Sequence, residues 1–143
     1  MNNTTTYDRP TVSYATASRL VAAGVRAAEQ LGVRASIVVV DTAGEPVATA
    51  RTDSAGMLSL TVASDKAWTA ANAGAPTEGV HAFVASDPAA MISMPTVPRF
   101  TLVAGGIPLI SDGRPVGAIG VSGGSSAQDA RIAQDALAEI GGL

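Results

Sequence analysis

Ala104-Gly105-Gly106-Ile107-Pro108-Leu109-Ile110-Ser111-Asp112-Gly113-Arg114-Pro115-Val116-Gly117-Ala118-Ile119-Gly120-Val121-Ser122-Gly123-Gly124 decides how the chain is read, because its glycines stand where a side chain would obstruct. Asp112-Gly113 between two apolar runs is a strong short-range hairpin signal. Gly105 and Gly106 allow a sharp approach with positive φ. Gly117 and Gly120 differ, since they lie inside the second strand. There a glycine weakens the strand and marks a bulge, or a place where another backbone or a ligand comes very close. Packing against a helix and the floor of a ligand site both satisfy that spacing.

Working outward, Ala17, Leu20, Val21, Gly24, Val25, Ala28 and Leu31 repeat on one helical face, with Thr11 or Ser13 as N-cap and Gly32 as the stop. The β-branched run Ser36–Asp41, the turn Thr42–Glu45 and the run Pro46–Arg51 read as a hairpin. A second helix is expected over Met57 to Asn72, closed by Gly74. Thr77-Glu78 could start a short helix through His81 and Val84, and Ser86-Asp87-Pro88 another. The proline-interrupted stretch Met91 to Pro98 cannot be a central strand, because proline removes ladder donors, and it could form a lid. Phe100–Ala104 reads as a third strand, the glycine-rich hairpin adds two more, and Ser126 to Ile140 reads as the last helix. The expected fold is therefore α+β, a five-stranded antiparallel sheet flanked by helices.

With 143 residues, 47% of them hydrophobic, the chain suits one domain over 11–143 behind a flexible tail of residues 1–10. That size buries roughly two-thirds of the surface of the unfolded chain. A net charge of −3 with nine scattered basic residues lacks the footprint of a nucleic-acid binder. The absence of cysteine excludes disulfides, thiolate metal sites and a cysteine nucleophile. A single histidine, His81, excludes multi-imidazole metal sites, so no structural metal is expected. The polar N-terminus lacks an apolar signal core, and no later run is long enough to span a bilayer, so the reading is cytoplasmic with no membrane partner. No P-loop or dinucleotide fingerprint is present.

Val40-Asp41-Thr42-Ala43-Gly44, Arg51-Thr52-Asp53, Asp65-Lys66-Ala67-Trp68-Thr69-Ala70, Gly105-Gly106-Ile107-Pro108, Asp112-Gly113 and Val116-Gly117-Ala118-Ile119-Gly120-Val121-Ser122-Gly123, in this order, resemble the GlcG/HbpS-like family. That family of small heme-associated proteins is itself similar to the C-terminal domain of PduO-type corrinoid adenosyltransferases. The resemblance implies a profilin-like fold in α/β/α layers and a homo-oligomer with a pocket for a small anionic ligand between or within subunits; several members bind heme, which makes it the candidate cofactor, and no other is expected. It does not imply one reaction. Where many members carry a histidine after the Asp-x-x-Gly turn, this chain has Glu45.

Three readings stay open. In the first, a binding protein holds heme or a related flat anionic ligand, with His81, Met91 or Met94 as axial ligand and Arg51, Lys66 or Arg99 on the propionates. His81 can equally be an ordinary surface or core residue. In the second, a cofactor-independent isomerase, tautomerase or lyase acts on a small oxo- or hydroxy-acid, with Lys66 and Asp53 as acid/base and Arg51 as carboxylate clamp. Those three residues can instead form a structural ion pair between strand and helix. Gly105, Gly106, Gly120, Ser122 and Gly124 are expected to line the ligand. The turn Gly123–Ser125 leading into the last helix can bind an anion through free N–H groups. Alternatively, Ser125 with Gln128, or Ser126 with Asp129, closes the helix as a capping box. An oligomeric accessory without a ligand is the third reading.

Overall fold

The computed structural model describes residues 4–143, so residues 1–3 of the expected tail lie outside the described residues. Helix α1 (Tyr14–Gln30) follows Ser13, whose hydroxyl accepts from Thr16 N as an N-cap. The hairpin of β1 (Ser36–Val40) and β2 (Pro46–Arg51) comes next. Its turn is organised by Asp41, whose carboxylate accepts from Ala43 N and Glu45 N. Helix α2 (Met57–Ala73) ends at Gly74, which takes the left-handed conformation that favours glycine. An excursion of short helices follows, α3 (Thr77–Ala85) and α4 (Pro88–Ser93), then a 3-10 turn over Met94–Thr96. Asp87 caps α4. The glycine-rich stretch supplies β3 (Gly106–Ser111) and β4 (Arg114–Ser122), and α5 (Ser126–Glu139) closes the fold.

The sheet has four strands in the order β2-β1-β4-β3, all antiparallel, not the five expected. The missing strand is Phe100–Ala104. Its N–H groups go elsewhere than to a ladder: Phe100 N donates to Val97 O, Thr101 N to Thr69 Oγ1, and Val103 N to Thr101 Oγ1, while Thr69 Oγ1 donates to the preceding Arg99 O. Helix α2 thus takes one of the N–H groups that a fifth strand would need, and local turns take two more. The β3 edge left open carries Pro108, which suits an edge position. The Asp112-Gly113 signal holds, with φ of 50° and 73°, as the two-residue turn between twisted strands requires.

Helices α1 and α5 pack on one face of the sheet and α2 on the other. Strand β1 is buried along its whole length because it lies between β2 and β4 with both faces covered. Its alternate residues divide the core. Ile37 and Val39 join Leu20, Ile119, Val121 and Ile132 on the α1/α5 side, while Val38 and Val40 meet Ala63, Ala67, Ala70 and Ala118 under α2. The second set is made of small residues, so α2 settles close to the sheet. A Cβ on Gly120 would collide with Ala63 O and lie 2.6 Å from Ala67 N. One on Gly106, its neighbour across the β3–β4 ladder, would collide with Lys66 O. No helix among the described residues is long and apolar enough to cross a membrane.

Candidate functional site

Lys66 on α2 is only 1% exposed. Its ammonium donates to Asp129 Oδ2 at 2.7 Å and to Val121 O at 2.9 Å. Asp129, on α5 and equally buried, accepts from Gly124 N at 2.8 Å through its other oxygen. The pair joins helices from opposite faces of the sheet past the start of β3, where Gly105 leaves room: a Cβ there would lie 3.0 Å from Lys66 Nζ. The expected grouping of Arg51, Asp53 and Lys66 is therefore corrected. Lys66 is turned into the protein and held by a carboxylate 63 positions away, not by Asp53. No local pattern signals Asp129 as its partner; the paired glycines at 105 and 106 are the nearest hint.

Arg51 and Asp53 lie at the far end of β2, where they border a cleft of about 460 Å³ with Glu29 and Arg34. Arg51 donates to the Met57 thioether. With no amine between them, these two residues do not form the acid/base centre expected of the trio.

The glycines expected to line a ligand divide in two. Gly105, Gly106 and Gly120 are filled against by Val121 O, Lys66, Thr77, Ala63 and Ala67, so they serve close packing and form no ligand floor. Gly124 and Ser122 instead border an open cleft. The start of α5 is closed by a capping box, with Ser125 Oγ accepting from Gln128 N and Gln128 Oε1 accepting from Ser125 N. The Ser126–Asp129 alternative is excluded, since Asp129 serves Lys66 and Gly124.

Arg99 stands where the α3–α4 excursion returns to the sheet, with φ of 71°. Its guanidinium lies over the Trp68 ring at 5.5 Å and donates to Gly44 O and Glu45 Oε1, each at 3.0 Å. Gly44 fits beneath the same indole, since a Cβ there would lie 2.5 Å from Trp68 Cδ1. Glu45 thus fastens Arg99 to the β1–β2 turn. Nearby Asp65 is partly buried, which raises its carboxyl above the ordinary 3.8, while the positive charge of Arg99 opposes the shift without cancelling it. Of the five guanidinium N–H groups, at least two are engaged and others remain available.

His81 sits on the outer side of α3, which buries only Thr77, Val80 and Val84. Its imidazole makes no hydrogen bond or ion pair among the described residues. The surrounding excursion is unusually apolar for an exposed surface: Phe83 is 78% exposed and Ile92 77%, with Met91 and Val97 also open.

The model of the family described as "Haem degrading protein HbpS-like" matches residues 12–138. Protein GlcG of Escherichia coli strain K12 is 35% identical over 106 residues, covering 74% of this chain and 77% of GlcG. The crystal structure of HbpS superposes with a TM-score of 0.87 at 32% identity, covering 95% of this chain and 94% of the other. A crystal structure of a PduOC:heme complex superposes with a TM-score of 0.84 at 31% identity, covering 93% and 97%.

Proposed function

This chain belongs to the HbpS-like family, and on that premise we propose that it binds heme or a closely related flat, anionic ligand on the exposed apolar surface of the α3–α4 excursion. The observation that carries the reading is the superposition on the PduOC:heme complex along nearly the whole chain. The residues present fit such a group in kind. His81 offers an unengaged imidazole, Met91 and Met94 are thioethers on the same excursion, and Phe83 and Ile92 present apolar area for a ring face. Arg99, at the end of this segment, keeps N–H groups free for a carboxylate. Bound heme supplies an iron whose reactivity follows from its axial ligand and from the polarity around it. The chain's own part is to present the imidazole, cover the ring and hold the propionates. Assembly into a homo-oligomer, as the family resemblance implies, would enclose this open surface.

Lys66 is removed from the contact set by its burial against Asp129. The same burial deprives the isomerase or lyase reading of its amine, and nothing in the geometry favours that reading.

The test is a hemin titration followed by Soret absorbance, with His81→Ala and Arg99→Ala alongside. Saturable binding of one hemin per chain, with a Soret band displaced or lost in His81→Ala, is the expected result. A linear, unsaturable titration, or a spectrum identical in both variants and the parent, would overturn the assignment.

A further inference from the structure

We propose that the cleft between the start of α2 and the end of β4 binds a small oxyanion, a carboxylate or phosphate group, through Ser122 and Arg34. A cavity of about 290 Å³ lies there, bordered by Arg34, Gly56, Ser59, Ser122, Gly123 and Gly124 among others. A second, of about 370 Å³, shares Arg34, Gly56, Gly123 and Gly124 with it. Together they reach the low end of the size range of small-molecule sites, roughly 300–1,000 Å³.

Ser122 carries the argument. It is 8% exposed, yet its hydroxyl has no hydrogen-bond partner among the described residues. No fully enclosed side-chain polar atom there lacks a partner, so this oxygen must open onto the cavity it borders. The neighbouring hydroxyls are committed. Ser59 Oγ donates to Gly56 O at 2.6 Å, which leaves it to accept from Ser36 Oγ at 2.8 Å. Ser122, paired with Ser36 across the β1–β4 ladder, is thus the free hydroxyl of the group.

Within these two cavities the charge is of one sign, while Glu29 and Asp53 border the neighbouring cleft on the other side of Arg34. Arg34 has no ion-pair or hydrogen-bond partner for its guanidinium among the described residues, and no carboxylate borders either cavity. A cation would find no acceptor charge here, whereas an oxyanion finds a guanidinium and a hydroxyl, the donors that make strong charge-assisted bonds. Helix α2 adds to this, because its N-cap Gly56 provides no side chain to receive the first N–H groups and its first turn contains no acid. The site is separate from the His81 surface and stands whether or not heme binds.

Amide chemical shifts of the full-length chain report on this directly, during titration with inorganic phosphate and separately with malonate, each against sodium chloride at matched ionic strength. Saturable shifts centred on Gly56, Gly123 and Gly124 are expected with one or both anions. Phosphate alone would identify a phosphate-bearing ligand, malonate alone a carboxylate, and both the shared oxyanion chemistry. Arg34→Ala should weaken binding about tenfold and Ser122→Ala several-fold, while His81→Ala leaves it unchanged. Arg34 is exposed and Ser122→Ala removes one oxygen, so the rest of the spectrum verifies the fold in each variant. Shifts that chloride reproduces, or that keep their midpoint in both variants, would overturn the proposal.

Discussion

Replacing Lys66 with methionine tests the most unusual feature of the interior. The variant keeps most of the side-chain volume and the apolar stem but deletes the ammonium that bonds Asp129 Oδ2 at 2.7 Å and Val121 O at 2.9 Å. Asp129 then remains buried with only the Gly124 N–H to compensate its charge. Removing one partner of a buried pair costs about 3–5 kcal/mol, against a total of about 5–15 kcal/mol for a typical domain. At about 3 °C per kcal/mol for this chain length, the melting temperature should fall by roughly 10 °C. Urea denaturation followed by fluorescence of Trp68, the single tryptophan, and by far-ultraviolet circular dichroism measures the loss. Pairing Lys66→Met with Asp129→Asn removes the stranded charge while keeping an oxygen acceptor for Gly124 N, and should restore most of the stability. A single variant that loses less than about 1 kcal/mol, or a double variant no more stable than the single, would refute the account of a desolvated ion pair spanning two layers.

Two further measurements address the packing and the titration. Gly120→Ala introduces a Cβ into the backbone of α2 at Ala63 and Ala67, and should destabilise by about 1–3 kcal/mol or more in the same urea assay, since the obstruction is main chain that cannot rotate away. Asp65 has a carboxyl raised above 3.8 by partial burial, so the folded protein holds this proton more tightly than the unfolded chain does. Its contribution is complete in acid below the unfolded value and is lost as the pH rises through the folded one. Asp65→Asn should therefore be more stable than the parent at pH 7, with the difference closing as the pH approaches 3.8; an unchanged difference across that range would contradict the burial effect.

Local patterns made most of the fold legible. The 3.6-residue spacing placed α1, and the Ser125–Gln128 spacing marked the start of α5. The Asp112-Gly113 turn set the register of β3 against β4. What failed was where two nonlocal outcomes compete for one backbone. Phe100–Ala104 has the apolar character of a strand, but Thr69 on a distant helix binds Thr101 N and the Arg99 carbonyl before it, holding the segment off the sheet. The site suffered in the same way. Arg51, Asp53 and Lys66 look dense in sequence, yet side-chain direction decides their fate, and Lys66 points through the glycine gap toward Asp129. Arg34 stood in no recognisable motif, so nothing local distinguished it from the other scattered basic residues.

The glycines that make this chain recognisable also determine where the structure leaves open space. Gly106 and Gly120 sit side by side beneath α2, and their missing side chains let the Ala63, Lys66 and Ala67 backbone descend onto the sheet. A face closed to that degree has no volume left for a guest, which is why the expected floor at Gly105, Gly106 and Gly120 is filled by protein. The two proposed binding surfaces accordingly lie at the rims of the α2 layer. At its N-terminal end the strand runs past the helix, leaving Ser122 and Gly124 beside Arg34 with an unmatched hydroxyl. Beyond its C-terminal end the chain leaves the sheet altogether, and α3 and α4 expose Phe83, Ile92 and His81 because they bury so little against the core. Close packing at the centre and open clefts at the edges are thus two results of the same glycine spacing.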